Sequence, residues 1–432
     1  MSTRARARSR TTARRRAPAR RATAPARAAR PRRASAAPAV TRPGPLNPML
    51  EEAREYPFVR LDRRRRELAP AGLPLLNFSI GDPREETPEF IRDTLRRAVP
   101  AISSYPTVAG LAELRAACAG WAGRRFGVTL DPEREILPVN GTKEGVFLLA
   151  FAVIGRAGRD TVVIPTPAYP VYRPSAELAG GRVHEVPLRS ANGWRFDPAS
   201  VPDAVWKRTA LLWLNTPHNP TGSVIDLDGL KRIAALARRH GFWVAADEAY
   251  AEVYFDAPPH SMLETGLENV IAFHTLSKRS AMTGYRSGFM AGDARLMAAL
   301  LRQRPNVGVA TPEFVQAAAI AAWSDDPHAD AQRARYAAKR ALFLDYFRRA
   351  GIAIESSEAS FYLWVKAPRA GGAAGDDVAF VERLLGLGIV ALPGSWLGRG
   401  GEGFVRWALV PTIEQCREAV ARLEAAGVGG TS

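Results

Sequence analysis

From Tyr56 onward, short apolar runs alternate with longer stretches of helical periodicity, and this alternation narrows the fold more than any other feature of the chain. The strand-like runs are 135–139, 161–165, 210–214, 242–246 and 270–273. They are rich in Val, Ile, Leu or Trp, and most are followed by Gly, Pro, Asn or Asp. Helical patterns such as 227–239 lie between them. Strands with no polar face must be covered on both sides, so the pattern predicts an α/β fold with a mostly parallel sheet under two layers of helices. After about residue 310 the pattern changes. A long helical stretch, 331–350, precedes strand-like runs at 361–365, 389–392 and 404–410, and a helical pattern at 412–425 follows. This reads as a smaller α+β domain. The expected organisation is a tail (1–45), an N-terminal segment (46–85) too short to fold alone and packed on the small domain, a large domain (86–310) and a small domain (311–432).

Charge and cysteine content exclude several function classes. The net charge of +17 resembles a nucleic-acid signal until it is located. Residues 1–45 carry fourteen arginines and no acid, which leaves +3 for the rest of the chain. The tail has repeated prolines and no apolar stretch, so it is expected to be disordered, and it lacks the apolar segment of a secretory signal. It reads as a solvated extension, with a translation start near Leu46 or Met49. The competing readings are a basic arm that touches nucleic acid or anionic lipid and a transit peptide, against which the prolines argue. Two cysteines, Cys118 and Cys416, exclude a disulfide framework and a cysteine-rich zinc site and fit a reducing cytoplasm; no metal is expected. No apolar run approaches the ~18 residues that a membrane-spanning helix needs.

Ligands of open α/β sheets bind beyond the carboxyl ends of the strands. Five such ends carry chemically coherent residues. Run 135–139 leads into Asn140-Gly141-Thr142-Lys143-Glu144 and a helix, whose free N–H groups suit an anion. Run 161–165 leads to Tyr169 on a proline-stiffened turn. Run 210–214 leads to Asn215-Thr216-Pro217-His218-Asn219-Pro220-Thr221-Gly222, a rigid loop suited to fixing Asn219. Run 242–246 ends in Asp247-Glu248-Ala249-Tyr250; an acid at the end of an apolar strand is poorly solvated and needs a cationic partner. Run 270–273 leads to Ser277-Lys278 and then Arg286; a lysine there is partly desolvated, which lowers its pKa and makes it nucleophilic. Taken singly, each has a plainer reading as a cap, a turn or a surface charge. Together they match pyridoxal phosphate, which has a phosphate, a flat ring, a phenolic oxygen, a ring nitrogen that must stay protonated and an aldehyde that takes a lysine.

With these motifs the chain resembles the aspartate-aminotransferase superfamily of fold-type-I pyridoxal-phosphate enzymes over residues 46–428. The order of Asn219, Asp247 and Lys278, and the arginine eight residues past the lysine, carry the likeness. The resemblance implies a large domain with a seven-stranded-type sheet, a smaller α+β domain, and pyridoxal 5'-phosphate as cofactor. It implies that Lys278 takes the aldehyde and later shuttles the substrate proton. Asp247 would pair with the ring nitrogen, Asn219 and Tyr250 would bond the phenolic oxygen, and Tyr169 would stack on the ring. Gly141, Thr142, Lys143 (through its backbone), Ser277 and Arg286 would hold the phosphate. Tyr105 would reach the phosphate of the neighbouring subunit in a homodimer with shared sites. Arg406 would grip the substrate α-carboxylate, with Gly81 beside it. Within the superfamily, Asn77-Phe78-Ser79-Ile80-Gly81-Asp82-Pro83 and Leu276-Ser277-Lys278-Arg279-Ser280 resemble succinyldiaminopimelate transaminases of lysine and cell-wall synthesis. The expected reaction is therefore transfer of an amino group from N-succinyl-LL-2,6-diaminopimelate to 2-oxoglutarate.

The alternatives are an aspartate, aromatic or LL-diaminopimelate aminotransferase, a pyridoxal-phosphate lyase, and a DNA-binding regulator. The regulator requires a winged helix ahead of the body, and the tail has no core from which to build one. Nucleic acid is therefore expected only at the basic tail. A succinylated substrate carries an additional carboxylate, for which Arg173, Arg279, Arg302 and Arg304 are the candidate readers.

Overall fold

Continuous apolar strands leave no polar face, and the chain buries them in the middle of a seven-stranded sheet. The computed structural model describes residues 44, 48–51, 55–155, 158–368 and 375–429. The expectation of a disordered tail over 1–45 falls, apart from Gly44, outside the described residues. From Pro48 onward the chain forms one compact unit.

Thirteen strands are present among the described residues: β1 (Leu76–Asn77), β2 (Ile136–Val139), β3 (Thr161–Thr166), β4 (Arg182–Pro187), β5 (Thr209–Asn215), β6 (Trp243–Asp247), β7 (Val270–Thr275), β8 (Gly288–Gly292), β9 (Ile354–Ser356), β10 (Tyr362–Lys366), β11 (Ile389–Val390), β12 (Leu392–Pro393) and β13 (Phe404–Ala408). The large sheet has the order β2-β8-β7-β6-β5-β3-β4. Its strands are parallel except β8, which runs antiparallel to both β2 and β7. Side chains alternate faces along each strand. Accordingly Val163, Leu212, Val244 and Ala272 enter one core, while their neighbours Val162, Leu211, Ala245 and Ile271 enter the other. A mostly parallel sheet thus lies between two helical layers, as the apolar runs predict.

The second sheet is antiparallel, in the order β12-β13-β10-β9. Leu363, Val365, Val405 and Trp407 pack there with Leu61, Leu76 and Phe78 of the N-terminal region. Strand β1 pairs in parallel with β11, Leu76 opposite Ile389. The helix Pro327–Arg349 leads into this sheet from the edge of the large one.

Candidate active site

The carboxyl ends of β3, β5, β6 and β7 open onto a cavity of about 430 Å³. Its wall includes Thr142, Lys143, Tyr169, Asn219, Asp247, Tyr250, Ser277, Lys278 and Arg286, with Gly81 and Arg406 from the N-terminal segment and the antiparallel sheet. Thirteen residues stood out in the sequence, and eleven of them line this one space; Gly141 and Tyr105 do not.

Lys278 sits in a single helical turn, Leu276–Arg279, directly after β7. Its Nζ donates to the Gly81 carbonyl. Burial lowers its pKa to about 8, with the Arg286 and Arg406 guanidiniums pushing the same way and the Asp82 carboxylate opposing. Asp247 ends β6. Its carboxylate accepts from the Tyr172 hydroxyl at 2.7 Å and the Ala249 N–H at 3.3 Å. Burial raises its pKa, and those two donors pull it back. Of the cationic partner that its sequence position calls for, the described residues supply only the Lys278 charge, which lies beyond ion-pair distance.

Arg406 is buried in β13. Nη1 donates to Asn219 Oδ1 at 2.8 Å, Nη2 donates to the Ser79 carbonyl, and Nε has no partner. The guanidinium lies 4.5 Å from the Tyr362 ring centroid. The guanidinium is only 2% exposed and has no carboxylate partner among the described residues, an arrangement able to take an anion. Asn219 is fixed in turn by its backbone N–H on Asn215 Oδ1, and Asn215 holds the Asp247 carbonyl at 2.6 Å. The peptide bonds before Pro167, Pro217 and Pro220 are cis.

Gly141, Thr142 and Arg286 lie together at one end of the site. Gly141 has φ 74°, and a Cβ there would come within 2.7 Å of Arg286 Cζ, so glycine is what lets the guanidinium approach. Thr142 starts the helix Thr142–Val153, whose first N–H groups face the same space. Among the described residues Arg286 bonds only backbone carbonyls, those of Thr283 and Asn140.

Several placements differ from the sequence reading. Tyr105 is 93% exposed and lies away from the cavity of its own chain. The Lys143 side chain, expected to matter only through its backbone, lines the cavity, its Nζ 5.4 Å from the Tyr56 ring centroid. Asn219 and Tyr250 point at other side chains: Arg406 for the first, and Tyr362 through a 3.0 Å hydroxyl contact for the second. None of the four arginine candidates lines the cavity. Arg173 is held by Glu177 and Glu185, Arg279 is buried on Asp326 and backbone carbonyls, Arg304 is buried on the Pro138 and Val309 carbonyls, and Arg302 is exposed. Sequence reasoning missed Tyr172, Tyr362 and the Tyr56–Phe58 wall. Tyr172 follows Tyr169 by three residues, the spacing that puts both on one side of a helical turn, and this was the available signal.

The family model for aminotransferase class I and II matches residues 74–423. The chain belongs to this aminotransferase family. It is 37% identical over 377 residues to an LL-diaminopimelate aminotransferase of Nitratidesulfovibrio vulgaris, covering 85% of this chain and 95% of that protein. Among solved structures it is similar to an aminotransferase from Neisseria meningitidis, at 37% identity and a TM-score of 0.82, covering 88% of this chain and 100% of that one. It is also similar to a Thermus thermophilus protein described as a probable N-succinyldiaminopimelate aminotransferase, at 30% identity and a TM-score of 0.79, covering 85% and 99%. The aminotransferase family works with pyridoxal 5'-phosphate. The cavity of this aminotransferase fits that group. Among the described residues it offers an amine whose pKa is lowered to about 8, a buried carboxylate outside ion-pair distance of any Lys or Arg, and a guanidinium with no acidic partner close to a helix start. No helix among the described residues is long and apolar enough to cross a membrane.

Proposed function

We propose that this aminotransferase transfers an amino group from LL-diaminopimelate to 2-oxoglutarate. The names of the curated relatives support free diaminopimelate over the succinylated compound that the lysine-loop motifs suggest. Four cations line the cavity, and the observation that carries the reading is that two of them, the buried Arg406 and the exposed Lys143, remain for a substrate with two carboxylates once Lys278 and Arg286 are given to the cofactor. N-succinyl-LL-diaminopimelate is the second reading, supported by the motifs around Lys278 and by the Thermus thermophilus relative.

When bound, the cofactor supplies an aldehyde for the amine and a protonated ring that draws away the electron pair left by Cα–H cleavage. Lys278 is the amine that holds it. Its lowered pKa leaves about a tenth of it neutral at pH 7, far more than an ordinary lysine, and a neutral amine is the nucleophile. As a free amine beside bound substrate, Lys278 Nζ would take the proton from the substrate Cα, a general-base role that typically contributes ~10²–10⁴-fold. Asp247 would hold the ring nitrogen and favour its protonated form, because an anion stabilises a nearby cation. Tyr172 orients that anion. Arg406 fixes the α-carboxylate with two parallel bonds and so directs the Cα–H bond. Asn219 and Tyr250 would bond the phenolic oxygen, Tyr169 would cover the ring, and Gly141, Thr142, Ser277 and Arg286 would hold the phosphate. The exposed Ile102 and Tyr105 support a homodimer in which Tyr105 serves the partner's site.

A single-turnover spectrum tests the reading. Mixing holoenzyme with L-glutamate should bleach the visible band, and 2-oxoglutarate should restore it. Bleaching by LL-diaminopimelate but not by its N-succinyl derivative supports the first reading. The reverse supports the second. Bleaching by neither removes both.

A further inference from the structure

Lys278 is followed by Arg279-Ser280-Ala281, a stretch with no role in the scheme above. Every one of these residues is held from outside its own loop. Ser280 Oγ lies 2.8 Å from His328 Nε2, and His328 Nδ1 lies 2.6 Å from Asp325 Oδ1. Ionised, Asp325 only accepts, which puts the imidazole proton on Nδ1 and leaves Nε2 to accept from the Ser280 hydroxyl and, at 3.3 Å, from Arg279 Nη1. Arg279 donates to the Ala322 and Asp325 carbonyls at 2.6 and 2.8 Å. The Ala281 carbonyl accepts from Thr87 Oγ1 at 2.7 Å. Ala281 itself has φ 51°, a left-handed conformation that a non-glycine residue keeps only where its surroundings over-determine it.

The helix Pro327–Arg349 supplies the far side. His328, Gln332 and Tyr336 are spaced by four residues and share one face. Tyr336 donates its hydroxyl to the Lys278 carbonyl at 3.2 Å. Gln332 is buried between them in sequence, its Nε2 without a partner. A buried polar stripe on a helix is costly unless it holds something.

The order Ser280–His328–Asp325 is that of a hydrolase triad, but Ser280 is 1% exposed and no substrate reaches it. The chain of bonds therefore fixes position. We propose that His328 is a positioning residue for Lys278: through Ser280 it pins the lysine loop to the helix Pro327–Arg349, with Tyr336 as the second pin. Burial, and then the Arg279 guanidinium, hold the His328 pKa below its ordinary value while Asp325 and Asp326 oppose, so the ring stays neutral and keeps an acceptor for Ser280. Phe90 closes the remaining side, its ring 5.5 Å from the imidazole. An error of about 1 Å in a catalytic group costs on the order of 10²-fold.

This inference rests on Lys278 being the cofactor-bearing amine. The test compares His328→Ala, His328→Gln and Ser280→Ala with the parent enzyme, by the rate at which apoprotein captures pyridoxal phosphate and by the pH midpoint of the visible band. Gln can donate to Asp325 and accept from Ser280. His328→Ala and Ser280→Ala should slow capture at least tenfold and move the midpoint by at least half a pH unit, and His328→Gln should recover most of both. A mere loss of packing would lower Tm and leave the midpoint alone. Should His328→Ala not fold, Ser280→Ala, which removes one oxygen, carries the same criteria. Parent-like capture and midpoint in Ser280→Ala would overturn the proposal. A parent protein that forms no visible band would instead remove the role of Lys278.

Discussion

Replacing Arg406 by lysine separates charge from geometry at the carboxylate subsite. Lysine keeps the positive charge in β13 but loses the planar fork that offers a carboxylate two parallel bonds. In the wild-type chain the two terminal nitrogens rest on the neutral Asn219 and Ser79 carbonyl oxygens, so both are already aimed into the site. A hydrogen bond to a charged group contributes about 1.5–3 kcal/mol, so losing one of two should cost ~10- to 160-fold in kcat/KM. Arg406→Ala loses both bonds and the charge, about 3–6 kcal/mol, or roughly 10²–10⁴-fold. Amino and keto substrates both carry the carboxylate, so the loss should be the same within a factor of three for L-glutamate and for 2-oxoglutarate. Stopped-flow half-reactions measure both directions, and a simple alkylamine without a carboxylate serves as control, with the same slow rate in all three enzymes. Arg406→Lys within twofold of wild type in both directions would refute the argument, as would a loss confined to one of them.

Three further outcomes follow from the site. Only a neutral amine attacks an aldehyde, so capture of pyridoxal phosphate by apoprotein should rise with pH through about 8, and Asp82→Asn, which removes the charge that raises the Lys278 pKa, should move that midpoint downward. Glu248 is buried behind Asp247 with its pKa raised to about 8, so it favours folding while protonated and this contribution is lost as pH climbs from its ordinary range through 8; thermal melts should show Glu248→Gln gaining Tm over wild type across that window, and a pH-independent difference would contradict it. Mixing Lys278→Ala with Tyr105→Ala chains should restore one native site per hybrid dimer if Tyr105 serves the partner, whereas activity no higher than the parental variants would place Tyr105 in its own chain's site.

The parallel strands were legible because a strand buried on both faces carries almost nothing but apolar residues, as in the Ala210–Leu214 portion of β5. Two strands of the same sheet were not. Edge strand β4 mixes Arg182, His184 and Glu185 with its apolar residues, because one side of it meets solvent. Strand β8, Gly288-Phe289-Met290-Ala291-Gly292, is short of β-branched residues, and its antiparallel direction has no local signature. At the site, single polar residues at strand ends were visible, but the bonds among them were not. Arg406 and Asn219 lie 187 positions apart, and no periodicity links them. The arginine candidates failed for a related reason: proximity to a motif in sequence does not reveal that Arg279 and Arg304 are already spent on backbone carbonyls. The polar stripe of the helix Pro327–Arg349 was hidden because that helix is partnered on more than one side, which blurs its amphipathic pattern.

The cavity also sets an order of events during synthesis. Its walls come from Tyr56 to Arg406, and β1 finds its partner only in β11, at the other end of the chain. A nascent chain emerging at ~5–20 residues per second therefore exposes Lys278 and Asp247 for some seconds before Arg406 exists. Until β13 threads between β10 and β12, the lysine is a reactive amine with no carboxylate receptor opposite it. Cofactor met on the ribosome would find a pocket with one wall missing, and selectivity for amino acids arrives with β13, the last of the described strands to be made.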